Sequence, residues 1–148
     1  MRIWVFLLYR LPSEPSAQRV QVWRRLKRLG AILLENAVWA LPGAPVLMEQ
    51  MQWLAQEIIE AGGSASVWQA QAGLPGQDEA LIQRFMAQAE AAYDALLCDL
   101  AQNTTDLQAL LRRYRQVWEL DYFHVERGEQ ARRALEQARG AAREGEAQ

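Results

Sequence analysis

A chain of 148 residues with a formal charge of −2 and an isoelectric point near 5.5 can bury a real core. It is not cationic enough overall to bind nucleic acid across its whole surface. A single cysteine, Cys98, excludes an intramolecular disulfide framework and fits a cytoplasmic location, and no apolar run approaches the roughly twenty residues that span a bilayer, so no membrane partner is expected.

The apolar opening is short and lacks a small-residue cleavage site, so it predicts a first strand over residues 3–10, buried on both faces, and not a signal peptide. Pro12, Ser13, Pro15 and Ser16 predict a turn and a helix start. In a helix from about 16 to 29, Val22, Trp23, Leu26 and Leu29 recur at helical spacing and are expected to face the core. Gly30 supplies the stop, because a residue without a side chain adopts the left-handed backbone easily. Residues 31–34 and 37–41 read as a hairpin turning at Glu35-Asn36.

Leu47, Met51, Leu54 and Ile58 then mark a second helix from about Pro45 to Ala61, ended by Gly62-Gly63. Residues 64–70, around Val67-Trp68, predict a fourth strand. The order is β-α-β-β-α-β, an α+β, ferredoxin-like arrangement: an antiparallel sheet with both helices on one face. Residues 1–72 are read as this domain, and 73–148 as a helical extension with a frayed tail.

In that extension, Leu81, Ile82, Phe85, Met86, Ala89, Tyr93, Leu96, Leu97 and Leu100 form one long apolar stripe. Thr105 with Gln108 reads as a capping box for the next helix, which carries Leu107, Leu110, Leu111, Tyr114, Val117 and Trp118. An interruption is expected near residues 121–128, followed by a surface helix. The stripe must bury against something, either the open face of the sheet or a second copy of the chain.

Little in the sequence suggests catalysis. His124 and Cys98 are far apart, no residues have zinc-ligand spacing, and no glycine-rich loop or nucleophile elbow occurs. His124 beside Tyr122-Phe123 is expected to be structural, and Cys98 is expected to be a small core residue and not a reactive thiol. No cofactor, no metal and no enzymatic activity are predicted.

Charge is distributed unevenly. Residues 1–30 hold seven basic residues against Glu14 alone, a local charge of +6. Arg24 and Arg28 lie four apart on one helix face, flanked by Arg25 and Lys27. With Arg10 and Arg19 they form a candidate nucleic-acid-binding set, since such a row can contact phosphates without reading sequence. The competing expectation is a solvated face that balances acidic residues on the second helix or on a partner. Arg112, Arg113 and Arg115 make a second basic cluster.

The stretch YRLPSEPSAQRVQVWRRLKRLGAILLENAVWALP resembles the N-terminal domain of the chromate-resistance regulators called ChrB. The resemblance continues through EQMQWLAQEIIEAGG and LIQRF to Asp121-Tyr122-Phe123, spanning roughly residues 3–135. More remotely, the segment looks like the ferredoxin-like domain of phenylacetate-degradation repressors and of CRISPR spacer-acquisition subunits. The CRISPR subunits carry a metal-holding aspartate after the first-strand tyrosine, whereas Arg10 follows Tyr9 here, so no nuclease metal site is expected. The resemblance implies a regulatory or DNA-associated module that forms a homodimer. Full-length chromate regulators also have a second domain tied to chromate response, and chromate sensing is not expected of these 148 residues. A separate sensor or effector protein is therefore a further expected partner.

Overall fold

The computed structural model describes residues 1–14, 16–103 and 105–147. Two compact units divide the chain, Met1–Ala80 and Leu81–Gln148. Pro15, read above as part of a helix start, lies outside the described residues.

The N-terminal unit runs β1 (Ile3–Arg10), α1 (Ser16–Arg28), β2 (Ile32–Leu34), β3 (Val38–Pro42), α2 (Pro45–Glu60) and β4 (Ser64–Gln71). Its sheet has the order β2-β3-β1-β4 with every pairing antiparallel, which is the ferredoxin-like arrangement. Local chemistry sets each corner. Glu35 and Asn36 both adopt positive φ, at 50° and 57°, giving the mirror-image turn whose twist matches a hairpin. Gly30, at φ 75°, ends α1: the Ala31 amide reaches back to the Leu26 carbonyl at 3.1 Å and occupies an acceptor that the helix leaves free. Gly43 is needed for a different reason, since a Cβ there would sit 2.5 Å from the Ile3 carbonyl oxygen.

Register places Val5, Leu7, Leu41 and Trp39 on one face of the sheet. All four are buried, as are Leu26 of α1 and Met51, Leu54 and Ile58 of α2. Burying each such side chain contributes about 1.5–3 kcal/mol. β1 is not buried throughout on both faces: Trp4 is enclosed, but Ile3 and Leu8 are exposed. Trp4 is held by its indole Nε1, which donates to Asp78 Oδ1 at 2.9 Å, while the Arg2 amide donates to the other oxygen. These bonds, the indole foremost, hold the Asp78 carboxyl below the usual carboxylate range.

Trp23 departs from expectation. Val22 and Leu26 are buried, yet Trp23 is 49% exposed. Each helical residue turns about 100° from the last. Val22, Leu26 and Leu29 define the inward stripe, and Trp23 falls beyond its edge.

α3 (Gln77–Gln102), α4 (Leu107–Leu120) and α5 (Glu126–Glu146) complete the chain. In the C-terminal unit the long apolar stripe buries against α4 and α5. Ala89, Tyr93 and Leu96 of α3 share one core with Leu110, Val125, Ala131 and Leu135. The last helix is thus more than a surface helix, because Gly128, Ala131 and Leu135 lie on one face and are buried. Asp106, and not Thr105, is the N-cap of α4 and makes no side-chain cap bond, so the capping box expected from Thr105 and Gln108 does not form. Cys98 is exposed and not a core residue, because it falls off the stripe that includes Tyr93 and Leu96; its sulfur accepts from Gln102 Nε2 at 3.6 Å.

A buried polar joint ties this unit together. Asp121 is 4% exposed and accepts from the Tyr93 hydroxyl at 3.1 Å and from the Val125 amide. α5 crosses the same tyrosine so closely that a Cβ on Gly128 would meet its ring at 2.9 Å. Burial, and then the Asp121 charge, push the Tyr93 hydroxyl well above its ordinary pKa.

Candidate nucleic-acid interface

α1 carries five of the six predicted contact residues, and β1 ends on the sixth, Arg10. Val22 and Leu26 anchor the inner face of the helix and thereby turn Arg24, Lys27 and Arg28 outward into solvent. Arg19 and Arg10 are exposed as well. Among the described residues no ion pair within 4.0 Å engages Arg10, Arg19, Arg24 or Arg28. No acidic residue occupies the first turn of α1.

Two members of the set are engaged locally. Arg25 lies at the margin of the buried stripe and forms an ion pair with Glu57 of α2. This is the charge balance between the two helices that competed with the nucleic-acid expectation, and it applies to one arginine. Lys27 places its ammonium 5.7 Å from the centre of the Trp23 ring, within cation–π range.

Arg19 and Arg24 also line a shallow hollow with Tyr9, Ser16, Val20 and Trp23. Burial raises the Tyr9 hydroxyl above its usual pKa, partly countered by a hydrogen bond from Trp39 and the charge of Arg19. Tyr9 therefore stays neutral at physiological pH, and the charge lining the hollow is that of the arginines. An exposed indole among guanidinium groups offers an apolar and a cationic surface together. Helical spacing alone assigns Trp23 to the core, and its place one position past Val22 is the signal that it lies beyond the buried stripe.

The second basic cluster behaves differently. Arg113 donates to Asp99 at 2.6 Å, whereas Arg112 and Arg115 are exposed. His124 is exposed, adopts a φ of 53° and stacks at a tilt on Trp118. Among the described residues no group of three or more His, Cys, Asp or Glu side chains could hold a metal ion. No helix among them is long and apolar enough to cross a membrane.

Together, a ferredoxin-like sheet, a first helix with an outward basic face and a helical C-terminal unit define a small α+β module. A family model described as Protein ChrB, N-terminal, matches residues 19–108. That match includes Arg19, Arg24, Arg25, Lys27 and Arg28 and leaves Arg10 outside. Protein ChrB of Cupriavidus metallidurans is 30% identical over 112 residues, covering 74% of this chain and 35% of that protein. The chain belongs to the family of the ChrB N-terminal domain, the family that its opening residues resemble, and it spans about a third of the length of the ChrB protein it matches.

Proposed function

We propose that this chain is a non-enzymatic transcription-regulatory module of chromate resistance that contacts DNA through α1. The supporting observation is that Arg19, Arg24 and Arg28 are exposed and without carboxylate partners among the described residues, in the part of α1 that the family match covers. Guanidinium groups so presented neutralise phosphates and displace counterions, which gives affinity and placement without base readout. Arg10 and Lys27 extend the contact at its margins, and Arg25 contributes less because Glu57 already holds it. In a chain that is acidic overall, a contact confined to α1 and its margins is expected to be modest and strongly salt-dependent.

Fluorescence anisotropy with a labelled duplex at low salt tests this reading. The wild-type chain is expected to bind, and the combined Arg19→Ala, Arg24→Ala and Arg28→Ala variant is expected to lose at least about tenfold in affinity. Absence of wild-type binding, or equal affinity of the folded variant, would remove DNA from the account. The second reading is a dimeric protein–protein interaction module with no nucleic-acid binding, in which the arginines serve as ion-pair donors, as Arg25 already does to Glu57 within the chain. In that case the triple variant changes nothing on DNA.

A further inference from the structure

We propose that β4 is a dimerisation edge: two copies of this chain join β4 to β4 antiparallel about a twofold axis and merge their sheets. This inference is independent of the DNA reading.

β4 is outermost in the sheet, bonded to β1 on one side only. Its ladder with β1 runs unbroken from Ile3↔Gln71 to Arg10↔Ser64, so no bulge bends it away from a neighbour. Outside the sheet ladder, no backbone hydrogen bond among the described residues involves positions 64–71. The outer row of amides and carbonyls is therefore open to another extended strand. Natural edges of this length are normally guarded by lysine, proline, a bulge or a covering element. The eight residues SASVWQAQ hold no charge and no proline, in a chain where 23% of residues are charged.

Two features select a second copy of this chain as the partner. The first is neutrality: Ser64, Ser66, Gln69 and Gln71 meet uncharged residues of the same strand across an antiparallel ladder, and no charge favours an unlike strand. The second is that the sheet has unequal edges. β2 is only three residues long and is protected by brevity. Each copy therefore offers one competent edge, so pairing closes as a dimer and does not propagate into a filament. Trp68 sits near the centre of β4, 58% exposed, with Nε1 donating to Ser66 Oγ at 2.9 Å. That bond fixes the indole along the strand, where it gains a cross-strand partner in the dimer.

Sedimentation velocity over a concentration series, paired with hydrogen–deuterium exchange of the same samples, tests the proposal. The full chain is expected to form a dimer that dissociates on dilution, with amides 64–71 slowing as the dimer forms. Trp68→Lys places like charges across the axis and is expected to weaken the dimer about tenfold. Gln52→Lys, on the exposed face of α2, leaves the dimer unchanged. Circular dichroism checks that each variant folds, and if Trp68→Lys does not, wild-type exchange alone decides. A chain that is monomeric at every concentration overturns the proposal. So does a dimer whose β4 amides exchange as fast as the monomer's, or one that a folded Trp68→Lys leaves intact.

Discussion

Two sets of arginines in this chain stand in different surroundings. In the C-terminal unit, Arg113 pairs with Asp99, Arg127 with Asp94, and Arg132 with both Glu129 and Glu136. On α1, Arg24 and Arg28 face solvent with no such partner among the described residues, and only Arg25 is tied, to Glu57. Both sets stand on amphipathic helices, so helical position alone does not distinguish them. The difference lies in where carboxylates fall. α5 alternates Glu129, Arg132 and Glu136 at spacings of three and four, which places opposite charges on one face. α1 holds no acidic residue at all. Satisfied guanidinium groups brace helices, and unsatisfied ones are available to a ligand.

The largest effect that would sharpen this contrast is structural. Asp121→Ala removes the acceptor for the buried Tyr93 hydroxyl and for the Val125 amide, and orphaned buried donors cost about 1–3 kcal/mol each. The expected result is several kcal/mol of lost stability by chemical denaturation, with the folded fraction binding DNA as before. Gly128→Val tests the same joint sterically, because its Cβ would press on the Tyr93 ring. It should lower the thermal midpoint by several degrees.

The second effect is on pH stability. Burial raises the hydroxyls of Tyr93 and Tyr114, and Tyr122 is pushed up to about 12 against an ordinary value of 10.0. The folded state thus holds these protons more tightly than the unfolded chain does. That contribution is fully present below pH 10 and is lost as pH rises from there through the folded values. Equilibrium unfolding at pH 9, 11 and 12 should show a progressive fall, and stability unchanged across that range would contradict it.

The sequence made the N-terminal unit readable because each of its elements carries local punctuation. Gly30, the Glu35-Asn36 pair, Pro45 and Gly62-Gly63 stand where the chain turns, and alternation or helical spacing fills the segments between. The C-terminal unit was harder to read. Its third helix is rich in Ala, Arg, Glu and Gln, so its narrow buried seam of Gly128, Ala131 and Leu135 looks like surface until Tyr93 is placed beneath it. Half of the candidate site was legible. Charge count located the basic helix, but which of its residues pair depends on a contact between helices 32 positions apart, Arg25 with Glu57, that periodicity does not encode. Trp23 shows the limit of pattern reading at a stripe's edge, where one residue decides between core and surface.

Smaller effects separate the two arginine sets directly. Arg132→Ala breaks an exposed two-sided pair and should cost less than about 1 kcal/mol, with no change in DNA affinity. Glu57→Gln releases Arg25 on α1 and is expected to tighten DNA binding by about twofold, within the range of a half-exposed ion pair. Weaker binding by Glu57→Gln would mean that the Arg25–Glu57 pair positions the helix and does not compete with phosphate.

The central claim, that unpartnered α1 arginines form the DNA contact while partnered arginines brace helices, is tested most directly by salt dependence. Affinity for one duplex would be measured across a salt series for the wild type, the combined Arg19→Ala, Arg24→Ala and Arg28→Ala variant, and a matching Arg113→Ala, Arg127→Ala and Arg132→Ala variant. Each lost phosphate contact removes about 0.9 from the slope of log affinity against log salt. The account predicts a slope shallower by two to three such increments for the α1 variant and an unchanged slope for the other. Equal slopes for all three proteins, or a loss confined to the C-terminal variant, would contradict it.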